Sequence, residues 1–331
     1  MPELRQNLAT KEWVIIAKER ARRPEDFVKK EEKKIIPEFV EKCPFCPGNE
    51  AMCPPDTFSI KDEQGWKVRV IPNKFAALIP EISNDKPNLI GLKRHMPGFG
   101  YHEVIIETPK HNLTTALLDI SYVKDIILSY RERYLWLSND PRIDHIIIFK
   151  NHGEAAGTSL EHPHSQLVAT PVVPSHIRAR IEEAMRYYDD HQRCVFCQMI
   201  EDEIEEGIRI VAENASFVCF VPYAAFSPFH LWLLPKRHYP QFGDIKDNEI
   251  MDLAMILKDV LFRLYFGINN PDFNYVIRSA PTDFTRVNYF HWYLSIVPRI
   301  SKAAGFELGS GMFINASIPE ESGKFLREVK I

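Results

Sequence analysis

The sequence predicts an α+β protein made of two tandem copies of one unit, each a mostly antiparallel sheet carrying one long helix. Three observations carry this expectation. The chain has 331 residues, too many for one ordinary core and suited to two. Five segments recur in the same order in its two halves. Each half also holds one C-x-x-C pair followed by two widely spaced histidines. The expected units are residues 1–185 and 186–331.

In the first half, "EWVIIA" reads as a strand. A charged, proline-bearing and irregular stretch follows from Arg20 to Val40. "GWKVRVIPNKFAAL" is strand-like and turns at Pro72 and Asn73. "HEVIIETPKH" is a strand closed by Pro109. "NLTTALLDISYVKDIILSYRERYLWL" has helical spacing, with Asn112 or Thr114 as its cap. "IDHIIIFKNHG" is a buried strand running into a glycine turn, and "HSQLVATPVV" is the next strand. "SHIRARIEEAMRYYDDHQ" reads as a helix leading to the second C-x-x-C.

The second half echoes these segments. "ASFVCFVPYAAF" answers "WKVRVIPNKFAAL", and "HLWLLPKRH" answers "EVIIETPKH". "KDNEIMDLAMILKDVLFRLYF" answers the long helix, "FNYVIRSAP" answers "DHIIIFKNHG", and "HWYLSIVPRI" answers "HPHSQLVATP". His111 and His162 are 51 positions apart, and His238 and His291 are 53 apart.

Composition narrows the functional classes. Apolar residues make up 45%, with no run long enough to span a membrane. The first residues lack the apolar core of a signal peptide. Six cysteines in such a chain point to a reducing, cytoplasmic setting with thiols kept for metal or catalysis. A net charge of −4 offers no bulk basic field, so no nucleic-acid partner is expected. Cys219, in "SFVCFVPY", reads as a small core residue.

The repeat places four ligand-type residues in each half: a C-x-x-C pair, a His after a strand-Pro-Lys turn and a His opening the last strand. They are Cys43, Cys46, His111 and His162 in the first, and Cys194, Cys197, His238 and His291 in the second. Two thiolates and two imidazoles suit tetrahedral Zn²⁺, and four protein ligands leave no open position, so both sites are expected to be structural. A redox pair with unrelated histidines is the alternative. Iron is the alternative metal at the second site.

If His162 binds metal, His164 is free for other work. A neutral imidazole is a good nucleophile toward phosphorus and a good leaving group afterwards. Gln166, two residues on, is placed to donate to a phosphate oxygen or to a ring nitrogen. The upstream "NHGEAAGTS" adds Asn151, Gly157, Thr158 and Ser159, amide, hydroxyl and backbone donors suited to phosphate. Read alone, H-x-H also fits two ligands of one metal. The second half has Tyr293 in the place of His164, so one active site per chain is the simplest account.

"HPHSQ", "KNHGEAAGTS", "CPFCPGN", "ERARRP", "NKFAAL" and "GFELGSG" together resemble the galactose-1-phosphate uridylyltransferase family, a duplicated branch of the histidine-triad superfamily. The resemblance runs from about Arg5 to Val329. It implies two histidine-triad-like units and a dimer. By it His164 carries the nucleotidyl group, and Gln166 holds the phosphoryl oxygens. Cys43, Cys46, His111 and His162 match the zinc site, Asn73 and Phe75 the nucleoside-binding strand end, and Asn151 and Ser159 phosphate contacts. Arg20 and Arg23 match arginines that reach the active site across the dimer interface. Phe306 and Glu307 match the sugar-binding C-terminal strand.

Bacterial members commonly have "C-S-N-P" before H-P-H, where this chain has Thr158 to Glu161. The second C-x-x-C with His238 and His291 instead resembles the plant-type ADP-glucose phosphorylases. His230 is expected to be an ordinary sheet residue. The implied reaction is exchange of a nucleoside monophosphate between a nucleotide sugar and a sugar 1-phosphate, as in the UDP-glucose–hexose-1-phosphate reaction. The alternatives are phosphorolysis of ADP-glucose by inorganic phosphate and a non-catalytic, zinc-stabilised nucleotide-binding module.

Overall fold

Strands with alternating apolar residues and two long amphipathic helices account for most of the architecture. The computed structural model describes residues 1–20, 22–28, 35–83 and 87–330, without the side chain of Arg20. Part of the expected irregular stretch, and the expected role of Arg20, therefore lie outside the described residues. In chain order the first strands are β1 (Glu3–Gln6), β2 (Trp13–Ile16), β3 (Phe58–Asp62), β4 (Gly65–Pro72), β5 (Asn88–Ile90), β6 (Lys93–His95) and β7 (Tyr101–Ile106). Helix α1 (Ile120–Ser138) precedes β8 (His145–His152) and β9 (His164–Thr170). Helices α2 (Ser175–His191) and α3 (Val195–Glu206) lead to β10 (Ile210–Glu213), β11 (Phe217–Phe220) and β12 (Leu231–Pro235). Then come α4 (Asp247–Gly267), β13 (Phe273–Arg278), β14 (Tyr293–Pro298), α5 (Gly305–Ser310), β15 (Phe313–Asn315) and α6 (Pro319–Glu328).

Ten strands form one antiparallel sheet in the order β10-β11-β12-β14-β13-β8-β9-β7-β4-β3. The centre is the pairing of β8 with β13, from Phe273 opposite His152 to Ile277 opposite Ile148. A smaller sheet joins β1, β2 and β15. Among the described residues no helix is long and apolar enough to cross a membrane.

Successive strand residues face opposite sides of the sheet. On one side Ile105, Ile148, Leu167, Tyr275, Leu294 and Leu233 pack beneath α1 and α4 in one continuous core. That core draws on both halves of the chain. On the other side lie His164 and Gln166 in the first half and Trp232 and Tyr293 in the second.

Three local expectations need correction. Helix α1 starts at Ile120, not near Asn112. Its cap is Asp119, whose carboxylate accepts from the Ser121 N–H at 2.8 Å. Thr114 instead closes a turn, its carbonyl accepting from Leu117 N and Leu118 N. Phe306 and Glu307, expected on a strand, lie on the short helix α5, where Glu307 caps Ala304 N at 2.9 Å. His162 and His291 stand just before β9 and β14 rather than opening them.

His145, at the start of β8, is fully buried, and neither ring nitrogen has a hydrogen-bond partner among the described residues. Burial, with His176 and Arg278 nearby, holds its pKa down at about 4. The folded protein thus keeps a neutral ring where the unfolded chain, titrating near 6.5, takes up a proton. This contribution is complete above pH 6.5 and drains away as pH falls toward 4, by about 3 kcal/mol. Denaturant titrations across pH 4–7 should show His145→Leu losing less stability on acidification than the natural chain.

Candidate active site and metal clusters

The first C-x-x-C sits in a tight turn in which Cys46 N donates to Cys43 O at 3.2 Å. Cys46 Sγ lies 3.5 Å from His111 Nδ1 and 3.7 Å from His162 Nδ1, and Cys43 Sγ lies 3.7 Å from His162 Nδ1. All four ligand atoms lie within 4.8 Å of one another, and all four residues are buried. His162 Nε2 donates to Thr108 O at 2.7 Å, which leaves its Nδ1 lone pair facing the thiols. Burial pushes the Cys43 thiol up to about 11, so a thiolate here requires a cation beside it.

The second cluster repeats the donor set on a different support. Cys194 is the N-cap of α3 and Cys197 lies in its first turn. Cys197 Sγ is 3.3 Å from His238 Nδ1 and 3.6 Å from His291 Nδ1. Cys194, Cys197, His238 and His291 again place their ligand atoms within 4.8 Å of one another. Both clusters can hold a metal ion. His230 belongs to neither and bonds Ser295 Oγ at 2.9 Å, and Cys219 is fully buried in the core.

His164 starts β9 and is 7% exposed. Its Nδ1 lies 2.8 Å from His162 O, so Nδ1 carries the proton and Nε2 keeps a lone pair. Burial lowers its pKa and favours the neutral ring. Phe45, between the two cysteines of the first cluster, packs edge-on at 5.5 Å between centroids. On the opposite face of the sheet a buried polar group backs this strand. Lys150 pairs with Glu107, which also accepts from Thr115 Oγ1 at 3.0 Å and Tyr130 OH at 3.4 Å. Tyr130 OH reaches Ser165 Oγ at 2.7 Å, and Lys150 Nζ lies 3.4 Å from His164 O. Full hydrogen bonding makes a buried ion pair tolerable and fixes the strands that contribute to it.

A cavity of about 680 Å³ opens at His164. Asn151, Thr158, Ser159, His162 and His111 line it, as the sequence suggested for the first three. Asn151 Oδ1 accepts from Asn274 Nδ2 at 2.8 Å. Gly157 ends the 154–156 turn in the left-handed region, at φ 88°. Gly153 has φ 85°, and a Cβ there would stand 2.3 Å from Asp272.

The other expected residues do not line this cavity. Gln166 and Asn73 meet at His102 on β7, a residue that no sequence motif singles out. Phe75 is 86% exposed at the end of the β4 turn. Arg23 is an exposed helix cap, and Phe306 and Glu307 lie on α5 away from the cavity. Sequence reasoning also missed the opposite wall, made by Tyr265, Asn269, Asn270 and Asp272 of the second half. His152 faces them, with Nε2 2.9 Å from Asn270 Oδ1. The one local signal was "NNPD", a turn in which Asn269 and Asn270 take φ of 60° and 53°.

A buried imidazole beside a cavity that carries amide and hydroxyl side chains is suited to group transfer. Residues 1–174 match the galactose-1-phosphate uridyl transferase N-terminal domain, and residues 180–306 match its C-terminal domain. The chain belongs to the galactose-1-phosphate uridyl transferase family, whose members are nucleotidyl-transferring enzymes. It is 36% identical to ADP-glucose phosphorylase of Arabidopsis thaliana, over all of this chain and 93% of that protein. It is 27% identical to galactose-1-phosphate uridylyltransferase of Thermotoga maritima, over all of this chain and 99% of that one. The crystal structure of an Arabidopsis thaliana ADP-glucose phosphorylase with bound ADP-glucose superimposes with a TM-score of 0.85 at 33% identity, covering 100% and 99% of the two chains.

Elemental analysis of the purified protein is expected to find two metal ions per chain. Cys46→Ser and Cys197→Ser should each leave one, and each should melt at a lower temperature than the natural chain.

Proposed function

We propose that the protein transfers a nucleoside monophosphate from a nucleotide sugar to a phosphate-bearing acceptor through a covalent nucleotidyl-His164. The observation that carries this reading is His164 itself. Its Nδ1 is committed to His162 O, which leaves the Nε2 lone pair of the neutral ring free, and the side chain lines the cavity.

Nε2 attacks the α-phosphorus. The N–P bond forms as the bond to the sugar-phosphate oxygen breaks, and hexose 1-phosphate leaves with the electron pair. An oxygen of the acceptor phosphate then attacks phosphorus, and the N–P electron pair returns to Nε2. Asn151, Thr158, Ser159 and the backbone at Gly157 surround the non-bridging oxygens, with Gln166 donating alongside. Fixed donors of this kind stabilise the charge that grows in the transition state.

With a sugar 1-phosphate as acceptor this is the hexose-1-phosphate uridylyltransferase reaction. With inorganic phosphate it is phosphorolysis of ADP-glucose. The 36% identity to ADP-glucose phosphorylase favours the second.

Zinc is the metal that we assign to both clusters. Tetrahedral zinc with ordinary Zn–S and Zn–N bonds has S···N edges of about 3.6 Å. The S···N distances of 3.3 to 3.7 Å support it. Cys43, Cys46, His111 and His162 would hold one ion and Cys194, Cys197, His238 and His291 the other. Bound zinc ties each C-x-x-C segment to its sheet. We read the chain as two histidine-triad-like units, 1–185 and 186–331. The strand order β3-β4-β7-β9-β8 matched by β10-β11-β12-β14-β13, and the family matches that part between 174 and 180, support that reading. Arg20, Arg23, Phe306 and Glu307 would then serve the cavity of a second copy, with Asn73 and Phe75 at the nucleoside.

His164→Asn should lose at least 10³-fold in nucleotidyl transfer with unchanged thermal stability. Mass spectrometry after incubation with ADP-glucose or UDP-glucose should show a nucleotidyl adduct on His164 in the natural chain alone. An active His164→Asn enzyme would refute the reading. Sedimentation equilibrium should give twice the 38.4 kDa chain mass; a monomer that is fully active removes the shared-site assignment.

A further inference from the structure

Gln166 is a carboxamide, and its two ends do opposite things beside a phosphoryl group. Its NH₂ donates to an anionic oxygen, whereas its carbonyl repels one. Something has to fix which end faces the site. We infer that His102 is the positioning residue that does so, by presenting an Nε2–H to the Gln166 carbonyl. This rests on the reading of His164 as the nucleotidyl carrier.

The argument is a count of donors and acceptors around one imidazole. The backbone N–H of Ala77 lies 3.1 Å from His102 Nδ1. A backbone N–H can only donate, so Nδ1 is the acceptor nitrogen and carries no proton. In the neutral ring the proton is then on Nε2. Gln166 Oε1 stands 2.9 Å from that nitrogen and accepts it. The opposite tautomer would set Nδ1–H against the Ala77 N–H, and so lose the hydrogen bond that the 3.1 Å distance describes.

The same count fixes a second carboxamide. Asn73 Oδ1 accepts from Phe75 N at 2.9 Å, so its NH₂ faces His102 Nε2 at 3.0 Å, and with the proton on Nε2 that contact is between two donors and is not a hydrogen bond. With its proton directed at Gln166, Nε2 has no lone pair to offer. The amide protons of both Gln166 and Asn73 are therefore left for an acceptor outside this group. The backbone holds the arrangement in place. Asn73 N donates to His102 O at 2.8 Å, and β7 pairs with β9 so that Val104 stands opposite Gln166 and His102 opposite Val168. His102 and Gln166 thus share a face with His164 on neighbouring strands.

The consequence is a specific division of effects. Without the Nε2–H, the Gln166 amide can turn its carbonyl toward the phosphoryl oxygens. The loss should then appear in the chemical step rather than in ground-state binding.

Two measurements test this. Imidazole ¹⁵N NMR of the natural chain, with the His102 signals assigned by comparison with His102→Gln, should show the proton on Nε2 and a bare Nδ1. Single-turnover kinetics should show His102→Phe slowing adduct formation by about 10- to 100-fold with little change in nucleotide-sugar affinity, in line with the loss of one preorganised donor. Gln166→Ala should slow it comparably, and the double variant no further. His102→Gln, whose amide nitrogen reaches the Nε2 place, should recover part of the rate. A proton on Nδ1, or losses that add in the double variant, would overturn the assignment. Turnover by His164→Asn would instead remove the reading beneath it, whatever the His102 tautomer proves to be.

Discussion

The antiparallel pairing of β8 with β13 is the contact on which the rest of the molecule depends. It turns two five-stranded arrays into one sheet and gives α1 and α4 a common floor. It also brings the turn after β8 beside the turn before β13. His152 stacks on Phe273 at 4.7 Å, and Asn274 ties Asn151 to the carbonyl of Ala156. One wall of the cavity is thus built from residues more than a hundred positions from His164. Without that pairing His164 would face open solvent on one side, and the donors around it would have no fixed geometry.

A second constraint works through the thickness of the sheet. The face of His164 carries imidazoles, thiols and amides. The face beneath carries Lys150, Glu107, Tyr130 and Tyr275, with the two tyrosine hydroxyls 2.6 Å apart. Burial lowers the Lys150 pKa, and its pairing with Glu107 opposes that shift. The charge behind β9 is thus paired. The strand itself is gripped on one side by hydrogen bonds and on the other by the cluster of His162. Both grips end within two residues of His164, which explains how a side chain at a strand terminus can be held still.

Much of this was legible in the sequence, and for a physical reason. Cysteine and histidine spacing survives in one dimension because C-x-x-C is local, and the repeat pairs each local motif with its distant histidines. Strand periodicity gave nearly every strand of the large sheet. The donor-rich turn before H-P-H announced itself by composition. Residues set by long-range contact were not legible. Asp119 rather than Asn112 caps α1, because the turn at Thr114 shifts the helix start by several residues. Glu307 sits in a helix because "GFELGS" forms one turn closed by Gly311 at φ 71°. His102 carries no motif, and Asn270 and Asp272 carry only the turn signal of "NNPD". Their importance comes from where β7 and β13 lie in the sheet, and strand order is not encoded in any local window. Arg23, Phe306 and Glu307 match motifs well, yet a single chain does not bring them to the cavity, so motif identity and placement are separate questions here.

The close approach of Asp272 to Gly153 ties the histories of the two halves together. Asp272 fills the space that any side chain at position 153 would need, and it also receives the Ala155 N–H at 2.7 Å. The half with Tyr293 in the place of His164 therefore cannot drift freely, because one of its carboxylates is the mould in which the other half's loop is cast. Exchange at either position would have to be answered at the other. Across relatives that keep this loop, the two sites should behave as a single inherited character rather than as two.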